Sequence, residues 1–266
     1  MRVSLRRVEV TRYVTPFREG GSLPALVEAD DDGMYVLKFR GAGQGRKALV
    51  AEVITGELAR SAGLPVPELV VAELDPVLAR SEPDPEIQDL IRASAGLNLG
   101  MDYLPGSFGF DPLASPITES LAARILWFDA LTTNVDRTPH NANLLLWHGE
   151  VWCIDHGASL YFHHSWAGWR EKAKNPFPAA KTHVLLPFVT PDGLEEAGRH
   201  LRGELDDKTL WRAVSLVPDE WLAGEAGFDG AEGVRAAYLE YFRLRLEGRE
   251  TWGSALRQTV RESGRG

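Results

Sequence analysis

The stretch NVDRTPHNANLLLWHGEVWCIDHGASLYF, residues 134–162, sets oxygen-bearing side chains at the ends of two apolar segments. Asp136 stands before the first segment, Asn143 enters it, and Asp155 closes the second. The segments flank a His148-Gly149 pair and predict a β-hairpin, which would bring Asp136 and Asp155 toward one mouth. Carboxylate and amide groups are costly to bury unless something binds them. The stretch therefore predicts a ligand site at the open end of a hairpin.

The oxygen atoms of this stretch suit a magnesium ion that accompanies a nucleotide. Mg²⁺ prefers oxygen ligands and usually takes only one or two carboxylates from the protein. The stretch offers such oxygen atoms on Asn141, Asn143, Asp136 and Asp155. Phosphoryl transfer also uses an aspartate that orients the hydroxyl nucleophile, and the stretch has more than one carboxylate to offer.

Residues upstream supply the cationic half of such a site. Lys38 lies in the predicted strand MYVLKFR, where an ammonium group is awkward without an anion to meet. Glu52 on the following predicted helix is the expected ion-pair partner of Lys38, and Glu57 on the same helix is the alternative. A short segment between the first two predicted strands can offer backbone N–H groups to phosphate oxygens: Gly20, Gly21 and Ser22.

Together these features resemble the protein-kinase-like layout, and in particular the HipA-like kinases, which are related more distantly to the phosphatidylinositol kinases. The segments GLPVPE, GMDYLPG, DRTPHNANLLLW and WCIDHGASLYFHH carry the resemblance, which spans roughly residues 10 to 165. The resemblance implies a phosphotransferase that uses ATP and Mg²⁺. It implies a hydroxyl acceptor, more readily a protein Ser or Thr than a small molecule.

The resemblance also assigns roles to individual residues. It makes Asp136 the catalytic aspartate and makes Asn143, or Asn141, a magnesium ligand together with Asp155. It makes Lys38, braced by Glu52, the lysine that contacts ATP. It implies that one segment receives the adenine through backbone hydrogen bonds: Met101, Asp102, Tyr103 and Leu104. The metal aspartate is followed by His156 where eukaryotic kinases have Phe, which speaks against a mobile activation segment of their type.

The order of predicted elements indicates an α+β fold with two lobes. Strands with one main helix come first, and helices interrupted by one hairpin follow. We expect a small antiparallel-sheet lobe that binds nucleotide over residues 1–104, and a mostly helical lobe with the catalytic hairpin over residues 105–266. Residues 81–92, acidic and proline-containing, are expected to form an excursion on the surface.

Composition and charge narrow the class of protein. The 266 residues are 44% apolar and 25% charged, as in an ordinary globular protein. The net charge of −9 argues against nucleic acid or an anionic membrane as the main partner. The single Cys153 excludes an internal disulfide and fits a reducing cytoplasm. No stretch approaches the roughly 18 apolar residues of a membrane span, so we expect a soluble cytoplasmic protein.

Two other classes of function stay open. A pseudokinase without catalysis could bind nucleotide, or nothing, and act as an interaction module. A His/Asp metal-dependent hydrolase is conceivable because four histidines surround the two aspartates: His140, His156, His163 and His164. The sequence lacks the HExxH and HxxEH spacings that zinc hydrolases use.

Overall fold

The structure, a computed structural model, describes residues 4–17, 23–43 and 45–264. It has the predicted α+β fold, in which a five-stranded sheet comes first and helices follow. The strands of this sheet are β1 (Arg7–Pro16), β2 (Ala25–Ala29), β3 (Met34–Lys38), β4 (Leu69–Leu74) and β5 (Gly96–Asp102).

The sheet is mixed, whereas the sequence predicted an antiparallel one. Its strand order is β1-β2-β3-β5-β4, and neighbours in this order run antiparallel. However, β1 also pairs in parallel with β4, so that Arg7 lies opposite Val71 and Glu9 lies opposite Glu73. The chain between β1 and β4 includes the helix α1 (Gly45–Ser61), which gives it the length that a parallel connection needs.

The helix α1 ends in a glycine cap. Gly63 has a φ of +71°, and the N–H of Leu64 donates to the carbonyl of Ala59 at 2.9 Å. A glycine in the left-handed region closes the last turn and lets the chain reverse toward β4. The helix is buried over most of its length and carries Glu52 on a buried face.

Residues 81–92 contain more regular structure than the predicted excursion. The helix α2 (Pro85–Ala93) begins after Asp84, whose side chain accepts a hydrogen bond from the N–H of Glu86. Ile87 and Ile91, one turn apart, are its buried residues. The segment is therefore a short amphipathic helix, and the sheet is accompanied by two helices rather than one.

The second half of the chain is helical around a small three-stranded sheet of β6 (Phe108–Gly109), β7 (Leu144–Trp147) and β8 (Glu150–Cys153). The predicted hairpin of β7 and β8 is present. His148 and Gly149 have φ values of +49° and +82°, as the two central residues of a type I′ turn require. The helix before the hairpin is α3 (Glu119–Thr132). The later helices are α4 (Trp169–Lys172), α5 (Pro191–Glu204), α6 (Asp207–Ser215), α7 (Asp219–Leu222), α8 (Gly230–Glu247) and α9 (Arg249–Ser263).

One apolar core joins the sheet side of α1 to α3 and the carboxy-terminal helices. A buried arginine on α8, Arg245, fixes the end of α3 within it. Its guanidinium donates to the carbonyls of Ala130 at 2.6 Å and Leu131 at 3.3 Å, and it lies 4.6 Å from the ring centroid of Trp252. It thus satisfies carbonyls that the last turn of a helix leaves without partners. Among the described helices, none is both long and apolar enough to cross a bilayer.

Candidate active site

Lys38, at the end of β3, lies between two carboxylates that come from distant parts of the chain. Its ammonium group contacts Glu52 Oε1 on α1 and lies 2.8 Å from Asp155 Oδ1, just beyond β8. The Lys38 side chain is only 13% exposed. Burial opposes its charge, but the charges of Asp155 and Glu52 outweigh burial and raise the pKa of Lys38. The lysine is therefore held as a cation inside the protein.

Glu52 is the more enclosed of the two carboxylates. It also accepts the backbone N–H of Gly157 at 3.0 Å, and its Oε2 lies 3.8 Å from Nδ1 of the buried His156. Burial raises the pKa of Glu52 to about 7, and Lys38 opposes that rise. Burial has the opposite effect on the basic group His156, whose pKa it lowers to about 3, so this imidazole is neutral at pH 7. The alternative partner, Glu57, lies 3.9 Å from Arg60 on its own helix.

Asp155 differs from Glu52 in exposure and in backbone. Its side chain is 46% exposed, and the charge of Lys38 lowers the pKa of Asp155 far below its ordinary value. Its φ is +52°, a left-handed conformation that is uncommon outside glycine and is found at constrained sites. The residue before it, Ile154, donates its N–H to the carbonyl of Asn143 at 3.0 Å. The open end of the hairpin thus holds Asn143 beside the start of the Asp155 turn.

Asp136 lies in the loop of residues 134–143, between α3 and β7, and is contacted by both candidate asparagines. The Nδ2 of Asn141 lies 2.8 Å from Asp136 Oδ2, and the Nδ2 of Asn143 lies 3.4 Å from the same oxygen. Asn141 is exposed, whereas Asn143 is 9% exposed and has a φ of +49°. Asn143 is therefore the more constrained of the two.

A buried carboxylate beneath this loop has no counterpart in the sequence analysis. Asp129, in the middle of α3, accepts hydrogen bonds from Arg137 Nε at 2.6 Å and from His183 Nε2 at 2.9 Å. Burial opposes the charge of Asp129, but Arg137 and His183 prevail and lower its pKa to about 2. The one signal in the sequence is an aspartate inside the otherwise apolar run ILWFDAL. Such a residue demands a buried partner, although the sequence does not show which one.

The segment predicted to meet adenine lies at the end of β5, and backbone amides within it are already bonded. The N–H of Asp102 donates to the carbonyl of Glu68 at 2.8 Å, and the N–H of Tyr103 donates to the carbonyl of Met34 at 3.0 Å. The sheet pairing thus continues one residue beyond β5, to Tyr103. The expectation that these backbone groups are free for adenine is therefore wrong for Asp102 and Tyr103. Met101 and Leu104 are both buried, at 7% and 5% exposed. Gly20, Gly21 and Ser22 lie outside the described residues.

A small cavity adjoins the lysine and its carboxylates. Its lining includes Lys38, Glu52 and Asp155. The lining also includes Ala42, Gly45 and Ala48, which lie before and within the first turn of α1. The end of β3, the start of α1 and the turn after β8 therefore contribute to the same opening.

The histidines of the hydrolase alternative are dispersed. His163 is buried with its Nδ1 2.9 Å from the hydroxyl of Tyr238, and His156 packs against Glu52. Over residues 4–17, 23–43 and 45–264, no three His, Cys, Asp or Glu side chains converge as metal ligands would. Nothing in the geometry of these histidines supports a zinc-type site.

Comparison with known proteins points in one direction. The family model described as HipA-like kinase matches residues 9–240 of the chain. Among solved structures, the Helicobacter pylori proinflammatory kinase CtkA superposes with a TM-score of 0.54 at 11% identity, covering 96% of this chain and 98% of that chain. The Golgi casein kinase gives a TM-score of 0.43 at 12% identity, covering 95% of this chain and 75% of that chain. No curated protein matches the sequence.

Proposed function

The chain belongs to the HipA-like kinase family, and from that premise we propose that it is an ATP- and Mg²⁺-dependent phosphotransferase acting on a hydroxyl group. In this proposal the two lobes of the kinase fold are residues 1–104, with the sheet, and residues 105–266, with the hairpin and helices. The nucleotide lies between them. The likeness of this fold to that of the kinase CtkA supports the kinase fold on which the proposal depends.

One observation carries the proposal: the convergence of Lys38, Glu52 and Asp155. A buried lysine that contacts two carboxylates from elements distant in sequence is expensive to desolvate and contributes little to stability. A cation in that position is suited to phosphate oxygens, and phosphoryl transfer depends mainly on positioning and on charge. The cost of burial is explained if the lysine serves a bound nucleotide.

The residues present also fit the implied metal ion. Asp155 offers a carboxylate that is partly exposed, and Asn143 or Asn141 offers an amide oxygen, which together are a donor set for a hard cation. When bound, Mg²⁺ neutralises charge on the β and γ phosphates. Two ligands from the protein are the usual number for this ion, because the nucleotide and water complete its coordination.

Each side chain has a distinct task in this proposal. Lys38 binds the α and β phosphate oxygens, and Glu52 keeps it extended toward them. Asp136 orients the acceptor hydroxyl and takes its proton. In the segment at the end of β5, the backbone N–H groups of Asp102 and Tyr103 are bonded within the sheet. We therefore assign the backbone N–H of Leu104 to adenine.

We propose a protein Ser or Thr as the acceptor, on the strength of the family resemblance. The single buried thiol, Cys153, supports a cytoplasmic location. A pseudokinase remains the second candidate because the contacts around Lys38 would serve nucleotide binding alone equally well.

The test is phosphotransfer itself. The protein is incubated with ATP, MgCl₂ and host lysate, and phosphorylated species are detected by mass spectrometry, with Asp136→Asn as the blank. Thermal shift with ATP, with and without Mg²⁺, is measured in parallel. The kinase predicts stabilisation by Mg²⁺ that Asp155→Ala removes. Stabilisation by nucleotide that is indifferent to Asp155→Ala, with no phosphorylated product, would leave the pseudokinase.

A further inference from the structure

We propose that Asp129 is a positioning residue that acts through Arg137 to fix the 134–143 loop and the start of the Asp155 turn. The structural part of this inference stands on contacts alone, and its kinetic consequence rests on the proposed function. Neither residue is placed to touch substrate, so neither is assigned a catalytic role.

The Asp129 carboxylate accepts hydrogen bonds from three side chains. Its Oδ2 accepts from Arg137 and His183, and its Oδ1 accepts from Asn134 Nδ2 at 3.3 Å. The side chains of Asp129 and Arg137 are 1% and 0% exposed. The carbonyl of Asp129 also accepts the N–H of Asn134 at 2.9 Å, so the first residue of the loop is held twice.

Arg137 transmits this anchorage to the hairpin. While its Nε binds Asp129, its Nη1 donates to the carbonyl of Asn143 and, at 3.4 Å, to that of Ala142. The Asn143 carbonyl is the group that also receives the N–H of Ile154. One guanidinium therefore joins α3, the end of the loop and the residue that precedes Asp155.

His183 donates to the same oxygen of Asp129 as Arg137 does. Its Nδ1 accepts the N–H of Leu185 at 3.1 Å, so the ring proton must reside on Nε2, where it donates to Asp129. Burial lowers the pKa of His183, which keeps the ring neutral and leaves Arg137 as the cation that balances the carboxylate. The N–H of Val184 donates to the carbonyl of Arg137 at 3.1 Å and holds the arginine backbone in place.

A role in stability alone does not account for these residues. An apolar pair of similar volume is often as stable as a buried ion pair, or more so. An apolar pair cannot bind a carboxylate and a distant carbonyl at once, whereas a planar guanidinium does so with separate nitrogens in a fixed geometry. Arg137 uses its Nε and Nη1 in this way, and its buried Nη2 has no hydrogen-bond partner among the described residues.

The decisive variant is Arg137→Lys, which keeps the charge next to Asp129 but replaces the two separate nitrogens that reach Asp129 and Asn143 with a single one. The matched control is Arg235→Lys, since Arg235 is also buried and donates to the carbonyl of Val217 at 2.6 Å, away from the loop. Hydrogen exchange of the protein without ligands measures the exchange rate of the Ile154 N–H. We expect Arg137→Lys to accelerate that exchange by about tenfold or more, and Arg235→Lys to leave it unchanged. Equal protection of Ile154 in the parent and Arg137→Lys overturns the inference.

A measurement on the parent covers the case in which Arg137→Lys does not fold. In low concentrations of urea, the amides of Asn134, Ile154 and Val184 should open as one unit with a common free energy, because Asp129 and Arg137 link their acceptors. Independent opening of Ile154 would contradict the inference.

Kinetics separate this inference from the proposed function. If the parent transfers phosphate, Arg137→Lys should lower kcat, measured at saturating ATP and Mg²⁺, on the order of 100-fold, because the loop that carries Asp136 is no longer fixed in place. If the parent transfers no phosphate but the exchange pattern holds, the proposed function fails and the positioning role stands.

Discussion

Lys38 Nζ and Asp155 Oδ1 lie 2.8 Å apart although 117 residues separate them in the chain. Their contact joins the last residue of β3 to the turn after β8, and so the sheet to the helical half. Glu52 approaches the same ammonium from α1. Three elements thus meet at one charge, and substitutions there should affect folding and ligand binding in separable ways.

Lys38→Met should lower nucleotide affinity and transfer rate together, with the rate falling on the order of 100-fold or more. It also leaves Glu52 buried without its cation, which should cost on the order of 3 kcal/mol of unfolding free energy. The double variant Lys38→Met/Glu52→Gln should recover part of that stability and none of the activity. Urea denaturation and ATP titration of the three proteins check this. A single variant as stable as the double, or one with the affinity of the parent, would place Lys38 outside the site.

Asp136→Asn should leave ATP binding close to that of the parent and reduce transfer by about 100- to 10,000-fold, because it removes the group that accepts the proton of the nucleophile. Isothermal titration with ATP and a phosphotransfer assay measure the two quantities. Asp89→Asn, on the exposed side of α2, is the control and should change neither. Turnover equal to that of the parent would end the assignment of Asp136.

Asn143→Gly should raise the Mg²⁺ concentration needed for half-maximal ATP-dependent stabilisation by about tenfold, since it removes an amide ligand. Glycine accepts the φ of +49° without strain, so the substitution isolates the ligand from the backbone. Asn141→Gly is the matched variant and should change the Mg²⁺ requirement little. The reverse order of the two effects would transfer the role to Asn141.

His163→Asn should flatten the dependence of stability on pH below neutrality. Burial lowers the pKa of His163 to about 3 from its ordinary 6.5, so between these values the unfolded chain binds a proton that the folded protein does not. Stability is therefore present above pH 6.5 and falls as the pH drops, with this residue contributing a slope of about 1.4 kcal/mol per pH unit. Asparagine keeps a polar atom near Tyr238 and removes the titration.

The free energy of unfolding of His163→Asn is measured by urea denaturation between pH 4.5 and 7.5. Steps of about one pH unit are sufficient to resolve that slope. His200→Gln, exposed on α5, serves as the control and should retain the slope of the parent. A slope in His163→Asn as steep as in the parent would show that His163 does not contribute to it.

Local patterns made the hairpin and the Lys38–Glu52 pair predictable from sequence. The pair His148-Gly149 predicts a turn, and the apolar runs LLLW and VWCI on either side predict the two strands. A lysine in a strand and a glutamate on the next helix likewise indicate an ion pair, because each charge needs a partner when it is buried. In such cases the energetic demand lies within a few residues and needs no knowledge of the rest of the chain.

Features that depend on distant partners could not be predicted in this way. The parallel pairing of Arg7 with Val71 leaves no mark in either strand, because β-propensity does not distinguish the directions of neighbours. The engagement of the Asp102 and Tyr103 amides depends on how far β5 extends along β4 and β3. Asp129 signalled a need for a partner, but Arg137 and His183 become its donors only through the packing of the loop and the segment around residue 183.

Arg245 has a practical consequence for anyone dividing this chain. The family match ends at residue 240, yet the guanidinium that supports the last turn of α3 belongs to residue 245, and its stacking partner is Trp252. A fragment trimmed to the matched region would retain Lys38, Asp136 and Asp155 but lose Arg245 and the hydrogen bonds that it donates to the end of α3. Expression boundaries for biochemical work should therefore include α9.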